Sequence, residues 1–292
     1  MKLQQLRYLC TVVDESLSIT KAAAKLHTSQ PGISKQLKLL EEELRTKLLV
    51  RRSNRTTDLS AAGHSILPLA RRILKDAETL KTIAREAGNP DKGQITIATT
   101  HVHARYSLLS ILTRFRALYP RVRVHLLFGS PRQIAYWVST GEADVAIGTA
   151  ATAGLPSLVT VPCFRLPHCV ITPPRHPLHK LRHPSLQAIA EHPLISTGRD
   201  SRLTALVTER CASFGVQPDI VMHALDIEIV KKYVELGFGL AVVPTIAVDS
   251  ERALRAIDAS HIFEPAIASL ITQDDVSSRK YIVDFIDMVA PR

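Results

Sequence analysis

The stretch from Ser18 to Leu44, SITKAAAKLHTSQPGISKQLKLLEEEL, decides how this chain reads. It spells two short helices around a tight turn. Ser18 is placed to cap a helix carrying Ala22, Ala23 and Leu26 at helical spacing, and the small Ala22 and Ala23 let a neighbouring helix approach closely. Thr28 or Ser29 caps a second helix. Pro31 falls in its first turn, where a missing N–H costs nothing, and Ile33, Leu37, Leu40 and Leu44 make one apolar stripe. The opposite face offers Gln30, Ser34, Lys35 and Lys38, hydrogen-bonding and cationic groups near a helix N-terminus, as a recognition helix needs to meet phosphates and base edges. An ordinary amphipathic helix pair with a solvated polar face has the same pattern, so the flanking sequence must decide.

Upstream, Leu3, Leu6, Leu9, Cys10 and Val13 recur at helical spacing and give a first helix to pack under the turn pair. Downstream, TKLLVRRSNRTTDLS offers a short strand at Leu48 to Val50 and a basic hairpin tip of Arg51, Arg52, Asn54 and Arg55. Such a wing reaches flanking phosphates or the minor groove, although a solvated hairpin would look alike.

Composition supports the DNA reading. The chain has 292 residues, 46% of them hydrophobic, enough for two or three domains with cores of their own. Its net charge is +10, and residues 1–89 hold 16 Lys+Arg against 9 Asp+Glu, so most of the basic excess sits with the helix pair. No apolar run has the length of a membrane span, and Met1-Lys2 leads into an amphipathic helix, so a cytoplasmic protein without a membrane partner is expected. Cys10, Cys163, Cys169 and Cys211 are scattered, which points to reduced thiols and to no metal site.

Ser60 to about Ala87 reads as a long helix, with Ile66, Leu69, Ile73, Leu80 and Ile83 on one side. The burial partner expected for so apolar a stripe on a connecting helix is its copy in a second subunit, which predicts a homodimer. Pro68 predicts a kink or restart. Gly88-Asn89-Pro90 stops the helix. Beyond it strands alternate with helices: strands at Gln94–Thr100, Val122–Phe128 and Asp144–Gly148, helices at Arg105–Leu118 and Ser130–Thr140. A second set follows, with strands at Cys169–Thr172, Leu194–Ser196, Ile220–His223 and Leu240–Val243 and helices at Leu203–Phe214 and Ile227–Leu236. The tail, Ile267–Thr272 and Arg279–Val289, is expected to return to the first lobe. Two α/β lobes joined by crossing strands form a cleft for a small ligand.

The order of parts, with TSQPGISKQLKLLEEEL at the second helix and Leu59-Ser60-Ala61-Ala62-Gly63 at the start of the long helix, resembles the LysR-type transcriptional regulators over essentially the whole chain. MKLQQLRYL, PDKG at 90–93, IATTH from Ile97, YPRV from Tyr119, GSP from Gly129 and VELGFGLAVV near Val234 resemble its CysB branch, which controls sulfur assimilation. The resemblance implies a mainly α winged helix-turn-helix domain over 1–59, a linker and dimerisation helix over 60–89, and a two-lobed α/β, periplasmic-binding-protein-like effector domain over 90–292. Lobe 1 is expected at about 90–163 and 265–292, and lobe 2 at about 164–264. DNA contacts are expected from Gln30, Pro31, Ser34, Lys35 and Lys38, with Arg51, Arg52 and Arg55 from the wing. One departure is Arg45, where the family usually has Gly.

For the effector, Thr99 and Thr100 end the first lobe-1 strand just before a helix, so hydroxyls and free N–H groups converge at a positive helix end suited to an oxyanion or carboxylate. The resemblance implies an anion site there. His101, Val102 and His103 depart from the family's usual Thr-His-Thr-Gln at this turn, and His103 introduces the prospect of a pH response. Ser130, Gln133, Thr149 and, in lobe 2, Thr197 are further candidates for the cleft, each with a plain capping or loop role as the alternative. The expected effector is sulfate, an acetylserine or another organic acid, with no cofactor. Expected partners are operator DNA, a second copy, a tetramer and RNA polymerase. A regulator of an aromatic or carboxylic acid pathway is the alternative function. An enzyme is disfavoured: GxSxG, HExxH and P-loop motifs are absent, and His101, His103 and Cys163 read as turn histidines and a thiol. An architectural DNA binder would not need the lobes, and a solute-binding protein would not carry the helix-turn-helix.

Overall fold

The computed structural model describes every residue except 53–54, 87–91, 150–151, 153–154, 156–157, 200, 249–252, 275–278 and 291–292. Three helices build the N-terminal unit: α1 (Leu3–Asp14), α2 (Ile19–Lys25) and α3 (Gln30–Glu43). Ser18 caps α2 by accepting from the Lys21 N–H, and Ser29 caps α3 by accepting from the Gly32 N–H. The α1 stripe is rotated from the one expected. Leu6, Leu9 and Val12 are fully inside, whereas Leu3 is on the surface and Val13 only partly covered. They meet Ala22, Ala23, Ile33, Leu37 and Leu40 in one core, where each large aliphatic side chain contributes about 1.5–3 kcal/mol.

The strand expected at Leu48–Val50 is β1 (Leu49–Arg52), and it pairs antiparallel with β2 (Arg55–Leu59), with a register shift between Val50 and Arg51. Leu48 itself is buried in the core. Ser60 then opens α4 (Ala61–Glu86) by accepting from the Gly63 N–H and donating to the Lys47 carbonyl. Gly63 has to be glycine because a Cβ there would stand 2.2 Å from the Leu48 carbonyl oxygen.

α4 runs as one helix through Pro68, so the restart expected there does not occur. Its apolar residues divide between two faces. Leu67 and Ala70, with Ile66 and Leu74, pack on the N-terminal core, while Leu69, Ile73 and Leu80 are exposed. Ile66 therefore belongs to the inward face. Arg71 ties three units together, pairing with Asp14 of α1 and, at 3.3 Å, with Glu142 of the following lobe. Gly88-Asn89-Pro90 lies outside the described residues.

Lobe 1 is a five-stranded sheet of order β4-β3-β5-β12-β6. The strands are β3 (Lys92–Thr99), β4 (Arg121–Phe128), β5 (Val145–Thr149), β6 (Leu158–Leu166) and β12 (Ala266–Gln273). β3 runs parallel to β4 and β5, and β12 antiparallel to β5 and β6. The helices α5 (Leu109–Leu118), α6 (Pro131–Ser139) and α10 (Lys280–Val289) cover it, burying Ile111, Phe115, Ile134, Val138, Ile282 and Phe285. The tail thus returns to the first lobe, as its sequence predicted. Asp144, at the start of β5, accepts from the Thr96 N–H at 2.7 Å and pairs with Arg279, which holds α10 on the sheet.

Lobe 2 places β7 (His168–Thr172) between β10 (Ala241–Pro244) and β11 (Arg255–Asp258), all antiparallel. β8 (Leu194–Ser196) runs parallel to β9 (Ile220–His223) and is bridged to Leu240. Around them lie α7 (Leu186–Ala190), α8 (Arg202–Ser213) and α9 (Ile227–Glu235). The sequence reading missed β6, β11 and α7. Only Pro167 separates β6 from β7, and the return passes from Phe263 to β12. These crossings are tied side by side by His168 Nδ1 to the Glu264 carbonyl at 3.0 Å, and the Thr245 N–H after β10 holds the first of them through the Pro167 carbonyl at 2.8 Å.

Candidate functional site

The polar face of α3 is presented to solvent. Gln30, Pro31, Lys35 and Lys38 are exposed and Ser34 is half-buried, all on the side away from Ile33, Leu37 and Leu40. Pro31 stands in the first turn, as expected. Lys38 has Glu42 3.8 Å away, a surface pair too weak to hold it back from a phosphate. The end of α3 explains the departure at Arg45. The Arg45 N–H bonds the Glu42 carbonyl and the Thr46 N–H bonds the Glu41 carbonyl, with Arg45 at φ 52°, a C-terminal motif that favours glycine.

Glu41 is a functional residue the sequence reading passed over. It is buried, and its Oε1 accepts from the N–H groups of Leu48 at 2.9 Å and Leu49 at 3.2 Å while Oε2 meets Lys47 at 3.3 Å. This fixes the wing relative to the recognition helix. Its position among three consecutive glutamates made it look solvated. In the wing, Arg52 stands opposite Arg55 and Arg51 opposite Thr56 in the hairpin register. Asn54 lies outside the described residues.

The second candidate region is the junction after β3. Thr99 is fully buried and its hydroxyl donates to the Ile147 carbonyl at 2.8 Å, so its role is to join β3 to β5. Thr100 differs. It is partly exposed, and its hydroxyl makes no hydrogen bond among the described residues. The Ala104 N–H returns to the Thr100 carbonyl at 3.1 Å, leaving the amides of His101, Val102 and His103 at a helix start with no intrahelical acceptor. Gly148 of β5 is buried close by: a Cβ on it would stand 2.6 Å from Ile134 Cδ1, 3.8 Å from Thr100 Cγ2 and 4.0 Å from His103 Cδ2. An uncommitted hydroxyl and helix-start amides are donors of the kind that an oxyanion or carboxylate accepts without a charged side chain.

The other nominated residues divide. The helix expected from Arg105 begins already at His101 and takes a π-helical turn over His103–Ser107 before α5. His103 is 3% exposed, and its Nδ1 lies 3.2 Å from Ser107 Oγ within that turn. Burial drives its pKa down to about 4, so the pH response expected of it near neutrality is corrected: the ring is neutral core. His101 is exposed and stacks on Phe128 with centroids 4.8 Å apart, at the adjoining strand end. Val102 packs into the core of lobe 2. Ser130 and Gln133 form a reciprocal capping box at α6, Ser130 N–H to Gln133 Oε1 at 2.9 Å and Gln133 N–H to Ser130 Oγ at 3.4 Å, so the plain capping role holds both side chains. Thr149 ends β5 and is partly exposed. Thr197 sits at the matching place in lobe 2, but its hydroxyl is 2.8 Å from Ser201 Oγ, which in turn bonds Thr204 and caps α8.

Catalytic readings lose their geometry. His101 and His103 point to different surroundings, and the Cys163 thiol is pushed up in pKa by burial while facing the Val161 carbonyl, the opposite of an activated nucleophile. Among the described residues no group of three or more His, Cys, Asp or Glu is placed to hold a metal ion, and no helix is long and apolar enough to cross a membrane.

A winged helix-turn-helix, a long connecting helix and a two-lobed α/β domain define a ligand-responsive DNA-binding regulator. Two family descriptions match, the bacterial regulatory helix-turn-helix protein of the lysR family over residues 3–64 and the LysR substrate binding domain over residues 88–291. The HTH-type transcriptional regulator SsuR of Burkholderia cenocepacia is 38% identical over 293 residues, covering 100% of this chain and 95% of that protein. CysB of Haemophilus influenzae is 36% identical over 294 residues, covering 100% and 90%. The crystal structure of the cofactor-binding domain of the Cbl transcriptional regulator aligns with a TM-score of 0.64 at 34% identity, covering 68% of this chain and 88% of that one. The chain belongs to the LysR family of transcriptional regulators and, within it, to the CysB-like branch. These families and relatives are regulators of transcription, not enzymes.

Proposed function

We propose that this regulator senses a small anionic, sulfur-related metabolite at the Thr100 junction and, through it, controls genes of sulfur assimilation or sulfonate use. The carrying observation is the Thr100 hydroxyl, without a hydrogen bond among the described residues, beside the helix-start amides, in a chain aligned over its whole length with SsuR and CysB. Gln30 and Ser34 read base edges, Pro31 shapes the helix start, and Lys35, Lys38, Arg51, Arg52 and Arg55 bind phosphates, which supply affinity and its salt dependence. The protein works in the cytoplasm as a homodimer through the exposed Leu69, Ile73 and Leu80 face of α4, paired into a tetramer that engages RNA polymerase. Ligand binding between the lobes shifts their arrangement, and α4 passes the shift on as a changed spacing of recognition helices on the operator.

A second reading has its own observation. The His101–Phe128 stack beside this junction offers a flat wall to an aromatic acid. A thermal-shift screen of the full chain separates the two, since a ligand stabilises the folded state by mass action. Sulfate, thiosulfate, acetylserines or sulfonates raising Tm supports the first, benzoate-type acids alone the second, and no shift with any of them counts against an anion site.

A further inference from the structure

Lys231 lies in the middle of α9 and is 0% exposed, an expensive place for an ammonium unless every proton finds an acceptor. Two acceptors come from its own lobe, the Glu228 carboxylate at 2.6 Å and the Ala247 carbonyl at 2.9 Å. A further one comes from the other lobe: the Tyr106 hydroxyl, 2.8 Å from Lys231 Nζ, which itself donates to Glu228. The Tyr106 ring also lies under the ammonium, 5.3 Å from nitrogen to centroid. Arg105 adds a longer contact to the same carboxylate, at 3.6 Å and more exposed.

Tyr106 belongs to the π-helical turn His103–Ser107, which begins three residues after Thr100. Such turns are strained insertions into a helix, held in place by their surroundings and frequent at functional sites. Here the surroundings are lobe 2, since Val102 and Tyr106 both pack against its core. A change of one residue in the hydrogen-bond register of the turn would swing Tyr106 away from α9 and take its hydroxyl from the buried ammonium.

We infer that Tyr106, Glu228 and Lys231 form an inter-lobe clasp in which Tyr106 is a positioning residue, carrying the state of the Thr100 turn to α9 of lobe 2. The inference deepens the effector reading above and rests on it for the signal, while the clasp itself is open to a ligand-free test.

The experiment compares amide hydrogen exchange in the full-length wild type, Tyr106→Phe and Lys231→Met. Tyr106→Phe keeps the ring and removes only the hydroxyl, and Lys231→Met keeps the bulk and removes the charge, so folding is monitored by exchange of the α1 and α3 amides. Loss of a hydrogen bond to a charged group predicts exchange about tenfold faster or more, appearing together in residues 103–108, in α9 and at 245–247. A rise confined to 103–108, or none, overturns the clasp. With sulfate or an acetylserine as probe, the wild type is predicted to change exchange in both the turn and α9, and Tyr106→Phe in the turn alone. A ligand-dependent change in α9 that persists in Tyr106→Phe also overturns it. Absence of any ligand-dependent change in the wild type removes the effector reading, and the ligand-free comparison still decides the clasp.

Discussion

The two lobes offer the same kind of place, a hydroxyl pair where a strand feeds a helix, and they furnish it differently. In lobe 1, Thr99 is locked to Ile147, and the Thr100 hydroxyl has no hydrogen bond among the described residues. In lobe 2, Ser196 is bound to His223 at 2.6 Å and Thr197 to Ser201, which passes the bond on to Thr204. A ligand at the lobe 1 junction gains bonds that none of the described residues supplies, whereas one at the lobe 2 junction competes with bonds already made. Burial alone does not reveal this, because Thr100 and Thr197 are both partly exposed. What distinguishes them is which hydroxyl already has an acceptor.

The largest expected effect is at Gly148, beside the lobe 1 junction. Gly148→Val should cost about 1–3 kcal/mol of stability by overpacking against Ile134 and should also push on the neighbouring Thr100 and His103 side chains, so that sulfate or acetylserine no longer raises Tm. Denaturant unfolding and the thermal shift read the two effects separately. A variant that still responds to ligand would place the site elsewhere and break the contrast between lobes.

Next in size is the pH dependence of His103. Its folded pKa of about 4 lies below the ordinary 6.5, so the folded state disfavours the proton. The stability is therefore intact above pH 6.5 and is lost as pH falls from there through 4, by about 3 kcal/mol at most. His103→Gln should flatten that part of the stability curve, measured by urea unfolding from pH 7 to pH 4. An unchanged acid limb would mean that the ring is not the buried neutral group described.

Arg45→Gly gives the smallest effect and serves as a control outside both lobes. Relief of the left-handed backbone at φ 52° should stabilise the N-terminal unit by roughly 1 kcal/mol, with the ligand response unchanged. A shifted ligand response in this variant would blur the separation between the DNA end and the sensing end.

The DNA end was legible in the sequence because its determinants are local. Capping serines, helical periodicity and a missing glycine at Arg45 each act within a few residues, and the φ of Arg45 accounts for the last of them. The tail's return to lobe 1 was legible from the alternation of strand and helix. β6 was missed because Pro162 interrupts its pattern, which an edge strand tolerates. Thr100 was legible from its place at a strand end. The roles of its neighbours were not, because they are set by contacts far apart in sequence: His103 is buried beside Gly148, Val102 goes into lobe 2, and Lys231, which looks like a surface lysine in KKYVE, is held by Tyr106 from the other lobe. Ser130 and Gln133 carried both readings in the sequence, and the capping geometry accounts for both side chains.

The most direct test of sensing at the Thr100 junction is operator binding by Thr100→Val, titrated with sulfate or an acetylserine beside the wild type and Thr197→Val. Sensing at this junction predicts basal affinity within about twofold of wild type for both variants, with the ligand response lost or shifted at least tenfold in Thr100→Val only. Loss of basal binding in Thr100→Val, or a wild-type response in it, would place sensing elsewhere.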